Sequence, residues 1–226
     1  QRQMCIRDRA TLYPQSIHRA MRYSVFSGGK RIRPILAIAS SFACGGKLKD
    51  VIKPACAIEL IHTYTLIHDD LPAMDNDDYR RGRPSCHKRF GQANAILAGD
   101  ALLTLAFEIL ADGSDSTRQL RVIKELSRHI GSSGTIGGQV VDIATKGKRL
   151  NRPTLEYISS HKTGSLITAS LKIGAIATGA NKKRLDAIDR FGRNIGLAFQ
   201  IIDDILDDEG YAKVFGKGRA LKQARE

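Results

Sequence analysis

Two aspartate clusters carry the clearest chemical signal in this sequence. The first lies in residues 66–88, where five aspartates fall within ten residues and three arginines follow them: Asp69, Asp70, Asp75, Asp77, Asp78, Arg80, Arg81 and Arg83. Carboxylates at this density repel one another and favour a bound hard cation such as Mg²⁺. The neighbouring arginines suit the phosphate groups that share such a cation. The stretch therefore predicts a Mg²⁺–phosphate site.

The spacing of the first cluster also predicts a break in its helix. Asp69 and Asp75 are six residues apart, which places them on different faces of an unbroken helix. Pro72 lies between them and disfavours helix at its own position and at Leu71. We expect the helix to end or bulge at residues 71–72, so that Asp75 turns back beside Asp69. The structural alternative is an acidic cap and turn followed by a basic loop.

The second cluster lies in residues 199–210, within another apolar stretch. Asp203 and Asp207 are four residues apart, and Asp204 and Asp207 are three apart, so the three share one helix face. Like charges at this spacing destabilise a helix unless a cation joins them. We therefore predict that the two aspartate clusters form the two walls of one metal site.

Two further polar positions lie in or beside apolar helical sequence. Residues 28–34 read GGKRIRP, and Lys30 and Arg33 are spaced to point together at an anion near a helix start. A solvated basic junction between helices is the alternative. His62 precedes Asp69 by about two turns of the same predicted helix, where it either faces the same cavity or is a satisfied core residue.

Glycine-containing motifs mark two more candidate positions. Gly137 and Gly138 weaken a predicted helix unless another backbone packs close to them. Gln139 and Asp142, in the same GGQVVDI motif, face either the cavity or solvent. Lys162 and Thr163 lie at a glycine-loosened point of a later helix, a placement that suits a phosphate or carbonyl contact and is also compatible with simple exposure.

Composition narrows the class of protein. The chain has 226 residues, a net charge of +13, no tryptophan and four cysteines (Cys5, Cys44, Cys56 and Cys86) without metal-ligand spacing. We expect free thiols in a reducing cytoplasm. From the printed residues we expect neither a signal peptide nor an uncharged run long enough to span a bilayer. Much of the basic surplus lies beside the aspartates, which favours small polyanionic substrates over nucleic acid.

The apolar periodicity predicts an all-α fold. We expect residues 1–15 to be a poorly defined segment and residues 16–226 to form one domain, a single large helical bundle with a central active-site cavity. No useful strand-like alternation occurs. The predicted helices cover residues 16–27, 35–44, 51–68, 94–111, 120–144, 153–180 and 184–209.

These motifs, in this order, resemble the trans-isoprenyl diphosphate synthases, also called polyprenyl synthetases. The resemblance runs from about residue 16 to residue 217 and is carried by GGKRIRP, HTYTLIHDDLPAMDNDDYRRGRPSCHK, LAGDALL, GGQVVDI, HKTG and FQIIDDILD. It implies the isoprenoid-synthase type of helical fold, a homodimer and several Mg²⁺ ions per site. It also implies that part of the family's first helix and its final helices are absent from this chain.

The resemblance implies a reaction and a role for each motif residue. An allylic diphosphate ionises, isopentenyl diphosphate attacks the carbocation, and loss of a proton gives a longer allylic diphosphate. The implied Mg²⁺ ligands are Asp69, Asp75 and Asp203, with Asp70, Asp204 and Asp207 as close partners. The implied allylic-side contacts are Arg80, Lys162, Thr163, Gln200 and Lys217. The implied isopentenyl diphosphate site is Lys30, Arg33, His62 and Arg81.

The depth of the cavity is expected to set product length. Tyr64 lies five residues before Asp69, about a turn and a half below the metal, where a bulky ring acts as a floor. Together with the two extra residues in DDLPAMD, it resembles bacterial-type farnesyl diphosphate synthases, so dimethylallyl or geranyl diphosphate would be extended to farnesyl diphosphate. The alternatives are a geranylgeranyl diphosphate synthase, a terpene cyclase and a non-catalytic subunit of a prenyl synthase.

Overall fold

The computed structural model describes residues 12–148, 150–208 and 210–225, so the expectations for Cys5 and most of residues 1–15 lie outside it. The described chain is almost entirely helical, which confirms the all-α prediction. Its α-helices are α1 (Gln15–Val25), α2 (Ile32–Ala43), α3 (Leu48–Asp69), α4 (Cys86–Phe90), α5 (Gln92–Ala111), α6 (Ser116–Ile130), α7 (Thr135–Thr145), α8 (Arg152–Ile158), α9 (Ser165–Ala177), α10 (Lys182–Asp207), α11 (Gly210–Phe215) and α12 (Lys217–Arg225). A π-helical turn, Ser159–Gly164, joins α8 to α9.

The chain divides into two compact units. Unit 1 comprises Gln1–Ile35 and Ile52–Gln119, and unit 2 comprises Leu36–Val51 and Leu120–Glu226. The prediction of a single domain for residues 16–226 stays a prediction.

Unit 1 is built around α1, α4 and α5, which pack against one another, together with most of α3. α5 is long and apolar enough to cross a membrane by length and composition alone. Seven of its residues are buried, as in the core helix of a folded unit: Ala95, Ala98, Gly99, Leu102, Leu105, Ala106 and Leu110. A single helix of this kind is weak evidence for a membrane span.

Unit 2 is organised around α10, which packs against α9, the π-helical turn, α11 and α12. Close approach between backbones requires glycine here. A Cβ on Gly138 would collide with the backbone of Lys162, and a Cβ on Gly196 would press on the backbone of Gly164. The backbone of the π-helical turn therefore packs against Gly138 of α7, which is the condition under which the sequence allowed glycine within this helix.

One expectation about local structure was wrong. Residues 120–144 form two helices, α6 and α7, because the segment 131–134 contains two glycines and two serines that interrupt the helix. A short antiparallel ribbon also occurs, with β1 (Tyr79–Arg80) paired to β2 (Arg83–Pro84). The connecting residues Arg81 and Gly82 both have positive φ, 54° and 72°, as a two-residue type I′ turn requires.

Candidate active site

The first aspartate cluster lies where α3 ends. The helix stops at Asp69, and the backbone N–H of Asp75 donates to the carbonyl oxygen of Asp69 at 2.9 Å. The N–H groups of Met74 and Asn76 both donate to the carbonyl of Leu71. The predicted helix end is confirmed, and the chain turns back so that Asp75 returns beside Asp69.

Asp70 faces inward from this turn and binds Arg80. The Asp70 residue is only 2% exposed, and its Oδ1 accepts hydrogen bonds from Nε of Arg80 at 2.8 Å and from Nη2 of the same guanidinium. Burial raises the pKa of Asp70, and the guanidinium counteracts that rise. Arg80 also donates to Asp77 at 2.8 Å. This carboxylate therefore fixes the β-ribbon against the end of α3.

The ribbon presents Arg81 to the GGKRIRP segment. The Arg81 guanidinium donates to the carbonyl oxygen of Gly28, and a Cβ on Gly29 would collide with it. Gly28 and Gly29 have φ values of 91° and 106°, a backbone region that favours glycine. The two glycines therefore do more than end α1, because they also make room for an arginine.

His62 lies among four arginines of unit 1. Its Nε2 is 3.4 Å from Nη1 of Arg33, and because a guanidinium only donates, Nε2 accepts. Burial, and then Arg33, Arg81, Arg31 and Arg80, lower the pKa of His62 to about 2. The imidazole is therefore neutral near pH 7. Arg33 and Arg81 therefore both lie near His62, whereas Lys30 is exposed; the predicted binding roles of the four residues stay predictions.

Tyr64 is buried one turn before His68. Its ring is 5% exposed and makes an edge contact with the His68 ring at a centroid distance of 5.8 Å. Its hydroxyl has no hydrogen-bond partner among the described residues, and burial raises its pKa to about 12. The His68 ring in turn occupies the space where a Cβ of Gly99 would be. The glycine of LAGDALL thus lets α5 approach α3.

The second aspartate cluster ends α10 in unit 2. Asp204 is buried; its Oδ1 accepts from Gln200 at 2.7 Å and its Oδ2 from the backbone N–H of Tyr211 at 2.8 Å. The Gln200 bond lies within α10 and the Tyr211 bond connects α10 to α11, so both carboxylate oxygens are used. Asp203 is half-buried and Asp207 is exposed. The predicted Mg²⁺ roles of Asp203, Asp204 and Asp207 stay predictions.

Two lysines predicted to bind substrate already bind aspartates of unit 2. Lys162 Nζ donates to Asp142 Oδ2 at 2.6 Å, and Lys217 Nζ lies 3.0 Å from Asp208 Oδ1. Lys162 and Thr163 lie in the π-helical turn, a local structure often found at functional sites. The side-chain nitrogen of Gln139 is buried without a partner among the described residues.

The donor set suits Mg²⁺ that is shared with phosphate. Across residues 12–148, 150–208 and 210–225, no three His, Cys, Asp or Glu side chains come together as a metal cluster. Mg²⁺ rarely uses an all-protein cage, since it is commonly held by one or two carboxylates, several waters and substrate phosphates. The carboxylates of Asp69 and Asp75, on a turn that brings their backbones together, fit that mode.

Sequence reasoning missed two charge networks, one with a buried carboxylate and one of half-buried residues. In unit 1, Glu59 forms an ion pair with Arg31. In unit 2, Lys172 bridges Glu125 and Asp189, and Glu125 also contacts His129 at 3.1 Å. The sequence signal that could have indicated these networks is a charged residue inside an otherwise apolar helical stretch, as at Glu59 and Lys172.

Comparison with known proteins places these motifs in one family. Residues 14–221 match the family model described as Polyprenyl synthetase. Geranylgeranyl pyrophosphate synthase 4 of Arabidopsis thaliana is 49% identical over 208 residues, covering 90% of this chain and 56% of that protein. Farnesyl diphosphate synthase of Geobacillus stearothermophilus is 48% identical, covering 90% and 70%.

The fold agrees with the sequence match. The crystal structure of an FPP/GFPP synthase from Zymomonas mobilis superposes with a TM-score of 0.89 at 40% identity, covering 93% of this chain and 78% of that one. The fold and the motifs define a helical protein of the isoprenoid-synthase type. The chain belongs to the polyprenyl synthetase family, and it spans little more than half the length of the Arabidopsis relative.

We predict that Arg80→Met destabilises the protein by about 2 kcal/mol, because it leaves the buried Asp70 carboxylate without its cation. The melting temperature should fall by about 4–8 °C. Without Arg80 the pKa of Asp70 rises further, so Asp70 is protonated at low pH and ionised at higher pH. The difference in melting temperature between Arg80→Met and wild type should therefore grow from pH 4 to pH 7. Thermal melts followed by circular dichroism measure it.

The matched control for this variant is Asp77→Asn, which removes the more exposed partner of the same arginine. It should change the melting temperature by less than about 3 °C. An equal loss in both variants would show that burial of Asp70 does not govern the interaction.

Proposed function

We propose that this chain is the prenyltransferase part of a Mg²⁺-dependent isoprenyl diphosphate synthase, which condenses isopentenyl diphosphate with dimethylallyl or geranyl diphosphate. The observation that carries the proposal is the arrangement in unit 1. There the turn after α3 brings the backbones of Asp69 and Asp75 together, and the β-ribbon that follows carries Arg80 and Arg81. The names of the relatives support it, since they include farnesyl and geranylgeranyl diphosphate synthases.

In this proposal the carboxylates position the leaving group. Asp69, Asp75 and Asp203 would be the principal residues that hold Mg²⁺, and a bound metal would supply positive charge for the departing diphosphate. Asp207 is a close partner of these ligands. Asp70 and Asp204 act mainly by holding Arg80 and Gln200, to which they are bonded.

Basic and polar groups complete the allylic side. Arg80, Lys162, Thr163, Gln200 and Lys217 contact the allylic diphosphate. Lys162 already forms an ion pair with Asp142. This pair fixes the position of its ammonium group, which can then contact the diphosphate as a second anion. Cationic side chains stabilise the leaving group without competing for the metal. An apolar surrounding keeps water from the carbocation, and the departing diphosphate accepts the proton, so no protein nucleophile is required.

Isopentenyl diphosphate binds the other basic group, Lys30, Arg33, His62 and Arg81. His62 is neutral because its pKa is lowered to about 2, and it uses Nε2 to accept from Arg33. This second anion site distinguishes the proposal from a terpene cyclase, which ionises one substrate and needs no second diphosphate. Both aspartate clusters are intact, which argues against a non-catalytic subunit.

The proposed product is farnesyl diphosphate, because Tyr64 places a ring five residues before Asp69. Geranylgeranyl diphosphate synthase is the second candidate, since relatives with either name match at 48–49% identity. A homodimer, implied by the family resemblance, and a cytoplasmic location, inferred from the cysteines, belong to the same proposal.

The reaction can be tested with purified protein, Mg²⁺, isopentenyl diphosphate and geranyl diphosphate, with products sized by mass spectrometry. We expect farnesyl diphosphate, and we expect Asp69→Ala and Asp203→Ala to lower turnover by more than about a hundredfold because each removes a metal ligand. Chelator should have the same effect.

Asp112→Ala is the control, because Asp112 pairs only with Lys53 on the surface of unit 1 among the contacts described; it should turn over like wild type. Product formed without isopentenyl diphosphate would support a terpene cyclase. Full turnover in Asp69→Ala would contradict the metal assignment.

Product length should depend on the Tyr64 ring. Tyr64→Ala opens space below the metal, so we expect geranylgeranyl diphosphate and longer products. Tyr64→Phe keeps the ring and removes only a buried hydroxyl that has no partner among the described residues, so the product should stay farnesyl diphosphate. Unchanged product length in Tyr64→Ala would show that the ring does not limit the chain.

A further inference from the structure

One buried carboxylate lies beneath the arginines that surround His62. Glu59 is 8% exposed, and its Oε1 forms an ion pair with Arg31. Its Oε2 has no hydrogen-bond partner among the described residues. Arg81 also lies within the electrostatic reach of this carboxylate. Neither Glu59 nor Arg31 belongs to the set of residues assigned to substrate above.

Arg31 ties the GGKRIRP segment to two helices at once. It has a positive φ of 53°, an uncommon conformation for a residue with a side chain. Its Nη1 reaches Glu59 on α3, and its Nη2 donates to the carbonyl oxygen of Val25 at the end of α1, at 2.6 Å. Two directed bonds from one planar guanidinium thus fix the segment between α1 and α2.

The anion-binding groups depend on this segment. The Arg81 guanidinium donates to the carbonyl oxygen of Gly28 in this segment, and it packs where a Cβ of Gly29 would otherwise be. Arg33 follows Arg31 by two residues and contacts His62, 3.4 Å away. His62 itself lies one turn after Glu59 on α3. The Glu59–Arg31 pair is therefore connected to Arg33, His62 and Arg81 through short, identified contacts.

The sign of the charge separates two possible roles for Glu59. A carboxylate near an anion site lowers the positive potential there, so on electrostatic grounds alone its removal should strengthen anion binding. A carboxylate that holds the site's geometry has the opposite effect when removed. Glu59 is buried and bonded to Arg31, which favours the geometric role.

We propose that Glu59 and Arg31 are a positioning pair that sets the geometry of the Arg33–His62–Arg81 anion site, although Glu59 carries the same sign of charge as the ligand. The proposal rests on the proposed function in taking isopentenyl diphosphate as that ligand. It predicts selective loss of affinity at this site when the pair is broken.

The test is calorimetric titration of the full chain with inorganic diphosphate in the presence of chelator, which removes metal-dependent binding. We expect Glu59→Ala to weaken binding about ten- to hundredfold, since misplaced binding groups lose affinity steeply. Arg31→Lys keeps the charge and loses the second bond, so it should also weaken binding. Glu59→Gln keeps a hydrogen-bond acceptor for Arg31, so it should weaken diphosphate binding less than Glu59→Ala does.

Kinetics separates positioning from general loss of structure. In variants that melt as wild type does, the KM for isopentenyl diphosphate should rise about tenfold or more, while the KM for the allylic diphosphate stays within about twofold. Asp112→Ala should match wild type in both measurements.

Equal or tighter diphosphate binding by Glu59→Ala, or unchanged binding by Arg31→Lys, would overturn the proposal. Weaker binding of inorganic diphosphate by the variants, in a chain whose wild type shows no turnover, would support the positioning pair and count against the proposed reaction.

Discussion

A buried carboxylate must be paired with a cation or accept several hydrogen bonds, and unit 1 is organised by two such pairs. Asp70 binds Arg80, and Glu59 binds Arg31. The first pair fixes the β-ribbon against the end of α3, and the second fixes the segment between α1 and α2. Because breaking a buried pair leaves an uncompensated charge, these pairs hold both loops in place. Two other aspartates of the cluster, Asp69 and Asp75, are brought close to each other by the turn between them.

Unit 2 satisfies its buried carboxylate differently. Asp204 accepts from an amide side chain and a backbone N–H, and no cation contacts it in the described part of the chain. The unit also relies on close backbone contacts at Gly138 and Gly196. These contacts fix the π-helical turn that carries Lys162, whose ammonium is bonded to Asp142. In both units the groups proposed to bind substrate are held by acidic residues, so little reorganisation is needed when an anion arrives.

The sequence was most informative where one physical rule dominates. The end of α3 at Asp69, shortly before Pro72, follows from that proline, and the adjacent glycines of α7 indicated where another backbone could pack closely. Family motifs identified the fold class and the candidate residues. Contacts between distant residues were not accessible in this way. The pairing of Glu59 with Arg31, the position of Arg81 against Gly29, and the inward orientation of Asp70 and Asp204 depend on which helix face packs inward. The break between α6 and α7, at the two glycines and two serines of residues 131–134, was not predicted.

Calorimetric titration with geranyl diphosphate, in Mg²⁺ and then in chelator, tests most directly whether the aspartates act through a metal shared with diphosphate. If Asp69 and Asp75 hold Mg²⁺ that bridges to the ligand, affinity should fall by about a hundredfold or more when the metal is removed. Equal affinity in both conditions would contradict this mechanism, because the diphosphate would then be held by the basic side chains alone.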